Sequence, residues 1–173
     1  MPIRISNRER YISEKIKSES EIAEIVRGER QKCKSVGLCI GGYDLLHPGH
    51  MTHLTSAKRQ CDILVVGVTA SEFNAKRKGE GRPIYPDELR AFSISQLHCV
   101  DYVFVSRYPG AVEVIKSIRP NFYIKGPDFI NKQTPGITAE REAIALVGGE
   151  MRYTTDEKLS TTDIINYIKR EIK

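Results

Sequence analysis

The sequence predicts an α/β fold, a Rossmann-like, doubly wound parallel sheet of about five strands. Three observations lead there. From Ser35 onward, short apolar runs alternate in strict turn with amphipathic segments. The first four runs are nearly continuous in apolar residues, the pattern of strands buried on both faces. Turns rich in glycine and proline stand where strand hands over to helix, above all "GGYDLLHPGH" at 41–50.

Residues 1–34 are polar and rich in helix formers, and read as an N-terminal helical arm ahead of a domain spanning 35–173. Ser18 and Glu21 make a capping box, and Ile22, Ile25 and Val26 then repeat at helical spacing, so the arm docks by one apolar stripe. Strands are expected at 36–40, 63–68, 102–105, 122–125 and 150–153. Helices are expected at 49–60, 87–98, 111–118, 138–147 and 161–171, the last with Ile164, Ile165, Ile168 and Ile172 on one face. Ligands of such open sheets bind beyond the carboxyl ends of the strands. That directs attention to 41–50, 69–86, 125–137 and 154–162.

At 173 residues the chain suits one domain able to bury roughly 70% of its unfolded surface. Its 40% hydrophobic and 28% charged residues describe a soluble globular protein. No apolar run reaches about 18 residues and no signal-type apolar region follows the charged start, so a cytoplasmic location without a membrane partner is expected. The four cysteines, at 33, 39, 61 and 99, include no CxxC pair and argue against a zinc site or a disulfide frame. A net charge of +5, with a basic cluster at 74–82, suits a polyanionic partner, including a phosphorylated small molecule. Nothing resembles aromatic-rich strands or a recognition helix, so no nucleic-acid partner is expected. An oxidoreductase of this fold class would need G-x-G-x-x-G after its first strand; this chain has G-G-Y-D.

The stretch 41–50 has its own chemistry. Gly41 and Gly42 let the backbone approach a bound group, and Pro48 suits the start of a helix. The first helical turn presents unpaired N–H groups and partial positive charge, which favours phosphate. His47 and His50 straddle that turn, so both rings can point at one anion. His53, one turn further on, reads as a surface or supporting residue. A zinc site on His47 and His50 lacks a third ligand.

These residues resemble the G-x-F-D-x-x-H-x-G-H signature of the cytidylyltransferase-like nucleotidyltransferase superfamily, with Tyr43 in place of the usual phenylalanine. A second signature of that superfamily, S-T-T before an apolar helix, stands at 158–165 as "KLSTTDII". The resemblance covers roughly 35–170. It implies direct nucleotidyl transfer, in which a phosphorylated acceptor attacks the α-phosphorus of a nucleoside triphosphate (NTP) and pyrophosphate leaves. It further implies that His47 and His50 grip the triphosphate and stabilise the transition state, that Gly41, Gly42, Tyr43 and Gly49 admit the nucleotide, and that Ser160, Thr161 and Thr162 bind the β- and γ-phosphates. Mg²⁺ would accompany the triphosphate, held by phosphate oxygens and water rather than by a protein cage. Relatives commonly form homodimers, and one is expected here.

The segment 71–90 reads as a basic loop with a Pro-bounded turn. By the same resemblance its foremost catalytic cation is Lys78, with Arg77 or Lys76 assisting and Arg82 a weaker candidate; Arg90 matches an arginine kept near the start of the following helix. Asp44 fixes the motif loop through backbone hydrogen bonds. The set "KGEGRP", "IKGPDF" and "STTDII" is similar to heptose 1-phosphate adenylyltransferase domains and places Lys125 and Asp128 near the nucleotide or sugar. "VTASEFNA" is similar instead to glycerol-3-phosphate cytidylyltransferases, whose arginine five residues before the S-T-T serine is here Thr155. The resemblance therefore implies ATP and a sugar 1-phosphate, with a CTP-dependent enzyme acting on glycerol-3-phosphate or another phosphorylated alcohol as the alternative. A nucleotide-binding regulatory protein without turnover is the alternative of another class.

Overall fold

The structure is a computed structural model that describes residues 6–79, 81–157 and 159–172; the side chains of Arg8, Arg77 and Lys78 lie outside that description. Five parallel strands form one sheet: β1 (Val36–Gly41), β2 (Ile63–Thr69), β3 (Tyr102–Ser106), β4 (Phe122–Lys125) and β5 (Glu150–Tyr153). Their order is β3-β2-β1-β4-β5. The chain winds outward from β1 through β2 to β3, then crosses back to β4 and continues to β5. The direction of winding therefore reverses between β1 and β4, and the carboxyl ends of those two strands open the crevice where ligands bind in such sheets.

Two apolar layers cover the sheet, as the continuous strand runs require. Val36, Leu38 and Val65 face one layer with Ile115, Ile118 and Ile144. Cys39, Leu64, Val66 and Val68 face the other with Leu54, Ala57 and Ile94. Adjacent residues of one strand thus enter opposite layers, and both are buried.

Helix α1 (Glu19–Gln31) starts with the predicted capping box, Ser18 accepting from the Glu21 amide while Glu21 reaches back to the Ser18 N–H. Its Ile22 and Val26 are fully buried in the first layer. Two such side chains contribute about 3–5 kcal/mol, enough to make α1 part of the core. Just before it, Lys17 N donates to Val103 O and Val103 N to Lys15 O, so Ile16 caps the free edge of β3 with one parallel rung.

The other helices are α2 (Pro48–Lys58), α3 (Ser71–Lys78), α4 (Asp87–Ser95), α5 (Val112–Ile118), α6 (Pro135–Leu146) and α7 (Thr161–Glu171). The expected basic loop at 71–90 needs correction: its first half is α3. Ser71 N donates to Asp87 Oδ1 at 2.9 Å, so a carboxylate sixteen residues away caps the helix, and Gly79, at φ +92°, ends it. Two helices begin earlier than expected, α2 at Pro48 and α6 at Pro135, because proline fits a first turn whose N–H is unpaired anyway. Helix α7 keeps its predicted span, but its apolar face does not pack as an amphipathic pattern suggests. Only Thr161 is buried, and Ile168 and Ile172 are 44% and 63% exposed.

Candidate active site

At the end of β1 the chain turns sharply through Tyr43, whose φ of +45° is left-handed. The turn is held from both sides. Asp44, almost wholly buried, accepts from the amides of Ile84 at 2.6 Å and Tyr85 at 3.3 Å and pairs with Arg82 Nε at 2.5 Å. It thus fixes the loop through backbone donors, as predicted, though the donors belong to 84–85 rather than to its own turn. Gly42 sits against α3, where an added Cβ would stand 2.8 Å from the Asn74 amide nitrogen.

The Arg90 side chain is fully buried beneath this turn. Its five N–H groups go to Gly42 O, Thr69 O, Tyr85 O, Ser71 Oγ and Asp87 Oδ1. A guanidinium so committed has nothing left for a phosphate. The expectation of Arg90 as a substrate contact is therefore corrected: it clamps the ends of β1 and β2 to the start of α4. Arg82 is likewise drawn into an ion pair with Asp44.

His47 is the N-cap of α2, yet its side chain makes no capping bond. Its ring stacks on His50, with centroids 3.8 Å apart and planes at 25°, and Tyr43 meets His50 edge-on at 5.2 Å. Both ring nitrogens of His47 are buried without a hydrogen-bond partner. Burial also pushes its pKa below the ordinary 6.5, so the ring is neutral near pH 7. An unpaired buried polar group costs about 1–3 kcal/mol. An anion delivered to this helix start would relieve that cost, and its charge would favour protonation of the ring.

The second motif meets the first. An added Cβ at Gly49 would lie 2.8 Å from Leu159 Cβ and 3.2 Å from His47 Cε1, so only glycine lets the chain before Ser160 approach the histidines this closely. Ser160 is the N-cap of α7; its Oγ accepts from Asp163 N at 3.1 Å and donates to Asp163 Oδ2 at 2.5 Å. Thr161 is buried and Thr162 exposed at the same helix start.

A cavity of about 610 Å³, within the usual range of small-molecule sites, opens beside these parts; His50 and Leu159 line it, whereas His47, Ser160, Thr161 and Thr162 do not. Its lining includes Gly41, Gly42, Tyr43, Gly49 and His50 from the first motif, Lys125 and Asp128 from the end of β4 and beyond, and Asp156, Glu157 and Leu159 from the chain before α7. Lys125 Nζ pairs with Glu140 Oε2 at 2.6 Å and lies 4.2 Å from the centre of the Phe129 ring, so its charge is held in place among these lining residues. Lys76, on α3, sits 5.9 Å from the Phe73 ring centre. The backbone of α3 carries Arg77 and Lys78, but their side chains lie outside the described residues.

His53, read as a surface or supporting residue, is half-buried and lines the cavity. Two contributors escape the sequence reading. Glu140 carries no motif, and only its place on α6 opposite Lys125 marks it. The loop Tyr108–Ala111 after β3 completes the wall; its "YPG" turn at a strand's carboxyl end was the signal available.

Residues 38–167 match the family described as Cytidylyltransferase-like. The chain is 36% identical over 130 residues to the bifunctional protein HldE of Helicobacter pylori, covering 75% of this chain and 27% of that one. It is 33% identical over 156 residues to the bifunctional protein HldE of Syntrophotalea carbinolica, covering 89% and 31%. The chain thus spans about a third or less of the length of these relatives. Among solved structures, a lipopolysaccharide core biosynthesis protein from Thermoplasma volcanium superposes with a TM-score of 0.61 at 23% identity, covering 72% of this chain and 99% of that one. A pantoate-beta-alanine ligase from Francisella tularensis superposes with a TM-score of 0.58 at 16% identity, covering 89% and 76%. These two likenesses concern the fold.

Proposed function

The chain belongs to the cytidylyltransferase-like nucleotidyltransferases, and from that footing we propose that it joins the nucleoside monophosphate of an NTP, ATP by preference, to a sugar 1-phosphate of the heptose phosphate type. An acceptor phosphate oxygen forms a bond to the α-phosphorus while the bond from that phosphorus to the α–β bridging oxygen breaks, and pyrophosphate leaves. The observation that carries the reading is the stacked pair His47 and His50. It stands at a helix N-terminus, one ring with two buried, unpartnered nitrogens, beside the segment that begins the second phosphate motif.

In this reading the chain provides no covalent nucleophile. His47 and His50 donate hydrogen bonds to the oxygens on which charge builds as the bridging bond breaks. Ser160, Thr161 and Thr162 hold the β- and γ-phosphates at the start of α7. Lys78, with Arg77, supplies cationic charge at the end of α3. Gly41, Gly42, Tyr43 and Gly49 admit the nucleotide, while Lys125 and Asp128 face its nucleoside or the sugar. Among the described residues no group of three or more His, Cys, Asp or Glu side chains could hold a metal ion. The donors present suit phosphate, so Mg²⁺ would enter with the triphosphate and be held mainly by its oxygens. A second copy of the chain is the expected partner, and a cytoplasmic location the expected setting; no described helix is long and apolar enough to cross a membrane.

Pyrophosphate release tests the reading. The purified chain is mixed with ATP or CTP and a panel of sugar 1-phosphates and glycerol-3-phosphate. Stoichiometric release with ATP and a heptose 1-phosphate is expected. Release only with CTP and glycerol-3-phosphate would move the assignment to the other branch, and tight nucleotide binding without release under any pairing would make the chain a regulatory binder.

A further inference from the structure

Helix α2 opens on His47 and carries His50, and it also holds the chain after β5. His53 and Ser56 stand at i and i+3 on α2, and Gln60 follows just past the end of the helix. His53 Nδ1 lies 2.8 Å from Thr154 Oγ1. Ser56 Oγ donates to Asp156 Oδ1 at 2.8 Å. Gln60 Nε2 donates to Tyr153 O at 3.2 Å, and Gln60 O accepts from Arg152 at 3.3 Å. These bonds tie α2 and the turn that ends it to the end of β5 and the loop after it. Thr154 is buried, and its N–H donates to Lys125 O at 2.9 Å, which fixes where that loop leaves the sheet.

Helix α7 has little packing of its own: Thr161 is buried, Ile164 and Ile165 are half-buried, and its other residues are exposed. Its position therefore depends also on the residues before it, of which Leu159 meets Gly49.

We infer that His53 and Ser56 are positioning residues: they set the separation between the imidazole pair and the hydroxyl-bearing start of α7, and so the fit of a triphosphate between them. Neither touches the reacting atoms. Burial holds His53 below its ordinary pKa against the opposing pull of Asp156 and Asp128, so the ring that meets Thr154 is neutral near pH 7. The consequence for the triphosphate rests on the proposed nucleotidyl transfer; the stitch between α2 and the loop does not.

The test compares the wild-type chain with the double variant His53→Ala/Ser56→Ala and with two variants that keep a bond at each place, His53→Asn and Asp156→Asn. Hydrogen exchange is followed without ligand, and affinity for a non-hydrolysable ATP analogue is measured by calorimetry. In the double variant, amides of 154–157 and 161–164 should exchange about tenfold faster, and the analogue should bind about tenfold more weakly, the size expected for losing two such bonds. Amides of β1 and α4 should be unchanged, and the two conservative variants should keep wild-type exchange over 154–157 and 161–164. Unchanged exchange and affinity in the double variant would overturn the inference, as would a loss of protection spread evenly over the sheet. If no variant and no wild-type chain binds nucleotide, the proposed function fails, while the exchange data still decide the stitch.

Discussion

The two helix starts that carry the motifs, α2 and α7, are built on opposite plans. Helix α2 opens with His47, an N-cap whose side chain caps nothing and whose ring nitrogens are buried and unpartnered. Helix α7 opens with Ser160, an ordinary cap whose hydroxyl is already shared with Asp163. The ground beneath them differs too. Arg90 and Asp44 lock the turn before α2 from below, whereas α7 rests on the chain before it and leaves Ile168 and Ile172 exposed. One end holds unsatisfied polarity in a rigid setting; the other is satisfied and lightly held. A ligand therefore has most to gain at α2, and α7 has most freedom to adjust to it.

The sharpest way to break this contrast is to remove the imidazoles. His47→Ala or His50→Ala should lower kcat for pyrophosphate release by about 10²–10³-fold, and in His47→Ala thermal unfolding should stay close to wild type, because neither ring nitrogen of His47 has a hydrogen-bond partner to lose. Near-normal turnover in either variant would remove the histidines from the chemistry. Next in size, Arg90→Leu should destabilise the fold by about 3 kcal/mol in urea titrations, since it strands the carbonyls of Gly42 and Thr69; a change under about 0.5 kcal/mol would mean the α2 side is not rigidly held. Ser160→Ala should cost only about 1 kcal/mol of stability, the worth of a cap, with a modest rise in KM for the triphosphate.

The smallest effect is proton linkage. His47 and His53 have folded pKa values below 6.5, so the unfolded chain takes up protons more readily there. Stability should accordingly fall as pH drops below about 6.5 and be insensitive to these rings above it. Triphosphate binding should run the other way and take up protons, since the anion favours the charged ring. Calorimetry in two buffers of different ionisation enthalpy would measure that uptake, and none at pH 7 would leave His47 outside the anion's field.

Much of this was legible in the residues. Strands buried on both faces must be continuously apolar, which is why 36–40 and 63–68 could be placed within a residue of β1 and β2. His47, His50 and the S-T-T triplet are marked by unusual residue types at a strand-to-helix turn. What stayed hidden was set by distant contacts. Helix α3 looks like a charged loop until Asp87 caps it. Arg90 looks like a phosphate ligand until its five acceptors from three separate segments are seen. His53 looks incidental because Thr154, its partner, lies 101 residues away.

The central claim is that the imidazole pair and the start of α7 hold one polyanion between them. A double-mutant cycle with His50→Ala and Thr161→Val, read as calorimetric affinity for a non-hydrolysable ATP analogue, tests it most directly. Each single variant should weaken binding, and the double variant should lose less than the sum, with a coupling of at least about 0.5 kcal/mol. Strict additivity, or no loss in Thr161→Val, would contradict the claim.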